Sequence, residues 1–384
     1  MRVTATLVCI LPLALGARLL KARGGTPLNS YIVVLKETYN GGEVTISDVE
    51  DGLGDVNKSQ TYTSAVGFRG FAAKLNATQL DALKSSPKVD YIEEDAMVHI
   101  SGSVTSQTGA DWGLARLSSR APNDTTYRYD ATAGTGTCAY VIDTGIMIDH
   151  SEFEGRATWA GNFVDKNDTD GNGHGTHVAG TIGGVTYGVA KQTRLFAVKV
   201  LDSSGSGTNS QIIAGMNFVV QDAPKRNCSK GVVVNMSLGG EQSTAVNSAA
   251  RAVVQAGYFL AVAAGNESND TKLYSPSSEE SVCAVGATTR NDSMASYSNF
   301  GAGVALFAPG SDIKSAWNDG KTKSISGTSM ATPHVAGLGA YLMGIRGPMS
   351  GSAVCDLVKK SALRGKVSGL PSGTANRLAY NGGA

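Results

Sequence analysis

Ala139-Tyr140-Val141-Ile142-Asp143-Thr144-Gly145 is an apolar run that ends on a carboxylate and then breaks at glycine. Consecutive apolar positions, without polar alternation, read as a strand covered on both faces. Runs of the same kind recur at 194–200, 232–236, 258–263 and 282–285, and residues 211–221 and 245–256 read as helices between them. Buried strands alternating with helices predict an α/β domain: a parallel β-sheet with helices on both faces. Ligands bind such sheets beyond the carboxyl ends of the strands, so Asp143 stands where a cleft is expected.

Upstream, the pattern changes. Residues 31–35 and 68–75 read as strands, Thr78 as the cap of a short helix reaching Leu83, and 89–98 as a run with alternating apolar residues. This predicts a small α+β domain at about 29–100. The polar stretch 101–109, rich in Ser, Thr and Gly, reads as an exposed linker. At the start, Arg2, the apolar run 7–15 and the small residues Gly16 and Ala17 read as a signal peptide, 1–17, cleaved near Ala17. The run is shorter than the roughly 20 apolar residues that span a bilayer, and Arg18, Lys21 and Arg23 follow it. The expected organisation is therefore 1–17 leader, 18–104 first domain and 105–384 second domain.

A chain of 384 residues with 41% apolar and 17% charged residues can bury a large core and does not read as disordered. Its net charge of +1 gives no reason to expect nucleic acid or an anionic membrane as partner. Cys9 leaves with the leader. Cys138, Cys228, Cys283 and Cys355 remain, an even number suited to an oxidising compartment, and their three possible pairings stay open. No C-x-x-C or C-x-x-H pair points to zinc. Glycosylation signals stand at Asn123, Asn167, Asn269 and Asn291, among others.

Three further stretches carry chemistry. His174 lies in Asn172-Gly173-His174-Gly175-Thr176-His177-Val178-Ala179-Gly180, where glycines let backbone and substrate come close to the imidazole. His174 and His177 share a helical face, which raises zinc as a competing reading. The motif lacks the glutamate of H-E-x-x-H, so no metal is expected and His177 reads as a hydrogen-bonded core residue. Ser329 lies in Gly327-Thr328-Ser329-Met330-Ala331-Thr332-Pro333-His334, with Pro333 read as part of a helix's first turn. A serine at a helix start has free backbone N–H groups and partial positive charge beside it, which suit a developing oxyanion. Asn266 follows the apolar run 261–265, and its amide can donate a second hydrogen bond there. Each residue alone reads equally well as a cap or a turn. Together, in the order Asp, His, Asn, Ser, they match one of the known chain orders of the serine-protease triad.

The blocks 141–145, 173–180 and 327–334 resemble the signature motifs of subtilisin-like serine proteases, the subtilases. Phe153-Glu154-Gly155-Arg156, Ser237-Leu238-Gly239-Gly240 and Leu378-Ala379-Tyr380-Asn381 are similar to the proteinase K branch found in secreted fungal proteases. The first domain resembles that family's inhibitory propeptide. The resemblance implies a secreted, monomeric serine endopeptidase acting on proteins and peptides. It would be made as a self-processing zymogen cut within about 100–107, with its own propeptide as intramolecular inhibitor. Asp143, His174 and Ser329 would form the triad, and Ser329 N–H with Asn266 the oxyanion hole. Gly205-Ser206-Gly207 and Ser237-Leu238-Gly239 would flank the substrate backbone. Ser237-Leu238-Gly239 with Ala263-Ala264-Gly265 would wall a pocket free of charge that favours neutral apolar or aromatic side chains. Asn209 replaces a tyrosine frequent in the branch at the distal subsites. The alternative, an inactive subtilase-like peptide-binding protein, would need a missing triad residue.

The resemblance also implies disulfides Cys138–Cys228 and Cys283–Cys355, and no free thiol, because Val178 replaces the branch's occasional cysteine. No cofactor is expected in catalysis. The family's structural calcium would be held by the carbonyls of Glu280 and Val282 plus an aspartate that is Ala305 here, and by a second aspartate that is Lys366 here. Both sites are expected to be empty. Asp165, Asp168 and Asp170 read as a solvated loop rather than a replacement site.

Overall fold

A computed structural model describes residues 17–21, 29–63, 68–95 and 104–383. The chain divides into two compact units, Met1–His99 and Ile100–Ala384.

The first unit is a five-stranded sheet in the order Arg18–Leu20, Val89–Glu94, Ser30–Leu35, Arg69–Lys74, Asn57–Thr63. Its core gathers Val33, Leu35, Phe71, Ala73, Leu83 and Ile92. The helix is Ala77–Ser85, and its cap is Asn76 rather than Thr78. Asn76 Oδ1 accepts from Gln79 N at 2.9 Å, and Gln79 Oε1 accepts from Asn76 N at 3.0 Å. That capping box satisfies two free helix N–H groups at once. Asn57–Thr63 gave no strand signal because it is an edge strand with an exposed, polar sequence. The alternation expected over 89–98 is strand as far as Glu94, and 96–98 lie outside the described residues. The expected leader does too, apart from Ala17.

In the second unit seven strands run parallel: β1 Thr137–Asp143, β2 Ala157–Asn162, β3 Arg194–Lys199, β4 Gly231–Met236, β5 Phe259–Ala263, β6 Cys283–Thr288 and β7 Val304–Pro309. Their order is β2-β3-β1-β4-β5-β6-β7, extended by the short strands Arg377–Leu378 and Leu363–Arg364. Among the helices that cover the sheet are α1 His174–Gly183, α2 Asn209–Asp222, α3 Thr244–Gln255 and α4 Thr328–Arg346. Along β1, Ala139 and Val141 face one core with Val178 and Ile182 of α1 and Val335 of α4. Cys138, Tyr140 and Ile142 face the other, with Met216 of α2 and Ala250 of α3. Period-two side-chain direction thus puts α1 and α4 on one face and α2 and α3 on the other. The chain order reverses around β1, whose neighbours are β3 and β4. Such a switch point opens a crevice at the strands' carboxyl ends, and Asp143 closes β1 there.

The disulfides are Cys138–Cys228 and Cys283–Cys355, 90 and 72 residues apart in sequence. Loops of that size give about 4–5 kcal/mol each in the chain-entropy account. The linker reading fails in its second half. Val104–Thr108 is a strand, antiparallel to Thr126–Asp130 and in register from Val104↔Asp130 to Thr108↔Thr126. Its polar residues carry no burial signal because the ladder is two-stranded and largely exposed.

Candidate active site

The carboxyl end of β1 and the start of α1 place an aspartate against a histidine. His174 Nδ1 lies 2.7 Å from Asp143 Oδ1, and Asp143 is fully buried. Close approach is possible because Gly175 has no side chain: a Cβ there would fall 2.1 Å from the carbonyl oxygen of Gly145. Gly173, at φ +104°, likewise lies flat against the Trp317 ring. Burial pulls the His174 pKa down, but the Asp143 charge and hydrogen bond, with the Asp170 charge behind them, outweigh it and leave the imidazole above its ordinary value. An imidazole held this way has its other nitrogen available as a base. His177 is a core residue as expected. It is fully buried, its Nε2 lies 2.9 Å from the Ile313 carbonyl, and burial pushes its pKa down to about 4.

Ser329 is the second residue of α4. Pro333 lies in that helix's second turn rather than its first, so the carbonyl of Ser329 has no i+4 donor. Ser237 Oγ fills the gap, donating to Ser329 O at 2.8 Å, while Ser329 Oγ donates to Ser237 O at 3.0 Å. Asn235 Nδ2 holds the Ser237 hydroxyl at 2.9 Å. Asn266 turns its Oδ1 to Thr328 N at 2.8 Å and Thr328 Oγ1 at 3.0 Å, which leaves its amide nitrogen as the donor for the cleft.

His174, Asn266 and Ser329 line one cleft of about 550 Å³, together with Gly205-Ser206-Gly207 and Ser237-Leu238-Gly239. A smaller cavity of about 70 Å³ adjoins Ser329 and is walled by Leu238, Gly239, Ala263, Ala264 and Gly265. Apart from Asp143, which is buried behind His174, the residues singled out from the sequence for the triad, the oxyanion hole and substrate contact each border one of these two hollows, which share Leu238, Gly239, Asn266 and Ser329. The small cavity is not free of charge, however. Glu267 and Tyr274 also line it, and Glu267 Oε2 accepts from Asn299 Nδ2 at 2.6 Å. The sequence signal for Glu267 was its place directly after Asn266.

A family model described as the subtilase family matches residues 134–381, and one described as peptidase inhibitor I9 matches residues 30–101. The chain belongs to the subtilase family. Proteinase T of Parengyodontium album is 61% identical over 294 residues, covering 76% of this chain and 99% of that protein. The cuticle-degrading protease of Metarhizium anisopliae is 50% identical over 354 residues, covering 92% and 90%. The crystal structure of a cold-adapted subtilisin-like serine proteinase superposes with a TM-score of 0.67 at 48% identity, over 71% of this chain and 99% of that one. This subtilase is a serine endopeptidase of the proteinase K kind, with a propeptide domain of the inhibitor I9 type.

At the stronger of the family's two calcium positions, the aspartate is Ala305 here and fixed cations stand close by. Glu280, Val282 and Ala305 line a cavity shared with Asp270 and with the cations Lys272, Lys359 and Arg377. Arg377 Nη1 donates to the Ala305 carbonyl at 3.1 Å, so a fixed cation already sits beside the missing carboxylate. The acids of 165–170 are also served from within. Lys199 Nζ reaches Asp165 Oδ2 at 3.0 Å, Thr169 O at 3.2 Å and Asn167 O at 3.3 Å. Asp170 is buried rather than solvated.

Proposed function

We propose that this subtilase hydrolyses peptide bonds through Ser329, His174 and Asp143. Ser329 Oγ attacks the carbonyl carbon of the scissile bond as its proton passes to His174 Nε2. His174 then gives that proton to the leaving amine, and water repeats the cycle on the acyl-enzyme. Asp143 fixes the tautomer with the proton on Nδ1 and stabilises the imidazolium. The oxyanion lies between the Ser329 N–H and the Asn266 amide. The observation that carries this reading is the 2.7 Å contact of His174 Nδ1 with Asp143 Oδ1, on a cleft that His174 shares with Ser329 and Asn266.

Substrate lies extended between 205–207 and 237–239, pairing its backbone as an added strand. Its side chain before the scissile bond enters the cavity of Leu238, Ala263 and Ala264, so neutral apolar and aromatic residues are favoured. Glu267 adds an acceptor that lets tyrosine join phenylalanine. The enzyme is made for secretion, as a monomer whose first domain, 18–104, inhibits it until self-cleavage within about 100–107. Asn123, Asn167 and Asn291 are exposed and open to glycosylation. No cofactor serves catalysis, and both inherited calcium sites are empty.

Ser329→Ala tests the core of this. Wild type should cleave casein, bind a fluorophosphonate at Ser329 and appear at mature size. Ser329→Ala should lose about 10⁶ in kcat, the scale found when this family's catalytic serine is removed. Expressed alone, it should stay full length. Activity near wild type in Ser329→Ala would end the proposal, and maturation of that variant without another protease would end the self-processing part.

A further inference from the structure

Asp170 is a buried carboxylate with no cationic partner among the described residues. Its Oδ1 accepts from Thr144 Oγ1 at 2.8 Å, Gly173 N at 2.8 Å and Asn172 N at 3.1 Å. Its Oδ2 accepts from Thr176 N at 2.9 Å and Thr176 Oγ1 at 2.5 Å. Burying an anion is costly unless it is well hydrogen-bonded, and here every donor belongs to the two segments that carry Asp143 and His174.

The first turn of α1 explains the need. The residue before it, Gly173, has no side chain to cap the free N–H groups. They are satisfied from outside: His174 N by Asn172 Oδ1 at 3.2 Å, Gly175 N by Thr144 Oγ1 at 3.0 Å, and Thr176 N by Asp170. Thr144 follows Asp143 directly. Its hydroxyl donates to Asp170 and accepts from Gly175, while Thr176 Oγ1 accepts from Met147 N at 2.9 Å. A closed ring of bonds therefore runs from Asp143 through Thr144 and Asp170 into the helix that begins at His174.

We propose that Asp170 is the positioning residue of the base side of the site, fixing His174 against Asp143 by clamping the start of α1 to the end of β1 and lending the imidazole a second negative charge. The proposal rests on the reading of His174 as general base. The charged and titratable groups facing His174 are Asp143 at the end of β1, Asp170 in the loop before α1 and His177 one turn along α1, the last neutral near pH 7. The two carboxylates raise the His174 pKa, so activity climbs as pH rises through that raised value. Removing one of them must lower the value and move the acid limb to lower pH.

The test is Asp170→Asn in the secreted enzyme, beside Thr144→Val and His174→Ala. Asp170→Asn should lower kcat by about 10- to 100-fold, the scale of a small misplacement of a reacting group, with KM little changed and the acid limb of kcat/KM shifted to lower pH. Thr144→Val, which breaks the ring but keeps the charge, should lower kcat less and leave the limb in place. Wild-type kcat in Asp170→Asn overturns the proposal. So does a loss with an unshifted limb, because a purely structural defect would give that. If Asp170→Asn is not secreted folded, Thr144→Val decides, and wild-type kcat there overturns the proposal. Activity retained in His174→Ala would instead defeat the triad reading, whatever Asp170 does.

Discussion

The helix that carries His174 and the helix that carries Ser329 both start after a glycine with no side-chain cap, Gly173 and Gly327, yet their free ends are treated in opposite ways. At the histidine end, the N–H groups are filled by a carboxylate, a hydroxyl and an amide oxygen. At the serine end, the acceptor that meets the first N–H is neutral, and the nearest carboxylate, Glu267, lines the adjoining cavity and is bound to Asn299 instead. Asn266 takes Thr328 N, and no acidic residue stands in the first turn. The difference follows the charge each side must meet. The imidazole becomes positive during the reaction, so a nearby anion helps it. The substrate's carbonyl oxygen becomes negative when Ser329 attacks, so that helix end must stay positive and open.

Four measurements sharpen or break this contrast. Asn266→Ala should cost about 10²–10³ in kcat, the usual cost of one oxyanion donor and a figure that comes from this family. Asn266→Asp is the stricter variant, because it keeps an acceptor for Thr328 while removing the donor and adding a negative charge. It should lose at least as much, and near-normal turnover would show that the serine end tolerates an anion after all. Ser237→Ala should cost far less. It removes one neutral brace on the Ser329 carbonyl, a hydrogen bond worth about 0.5–1.5 kcal/mol, or roughly 2- to 12-fold in kcat. A loss as large as that of Asn266→Ala would mean that bracing, rather than oxyanion charge, dominates this side. The smallest effect concerns calcium. With Arg377 and Lys199 as built-in cations, melting in millimolar calcium and in excess chelator should agree within about 2 °C, the shift that roughly 1 kcal/mol gives in a domain this large. A clear rise in Tm with calcium would restore the ion to one of its inherited places.

The parallel sheet was legible because β1, β4 and β5 are buried on both faces and so read as unbroken apolar runs. Asp143, His174, Asn266 and Ser329 were legible because strand ends and helix starts mark where a cleft must open. Asp170 was not. It stands four residues before His174 among other acids, and nothing local separates a carboxylate that folds back under a helix from Asp165 and Asp168 at the surface. The charge of the small cavity was missed because Glu267 enters by way of Asn299, a residue distant in sequence. Arg377 beside Ala305 was hidden for the same reason, since the contact spans 72 positions.

The ladder between Val104–Thr108 and Thr126–Asp130 has a consequence for the order of events in maturation. A protease grips its substrate by the same backbone groups that a ladder consumes. While residues 104–108 are paired, their backbone groups are withdrawn from any cleft, so the self-cleavage proposed above would need that ladder open wherever the cut fell within it.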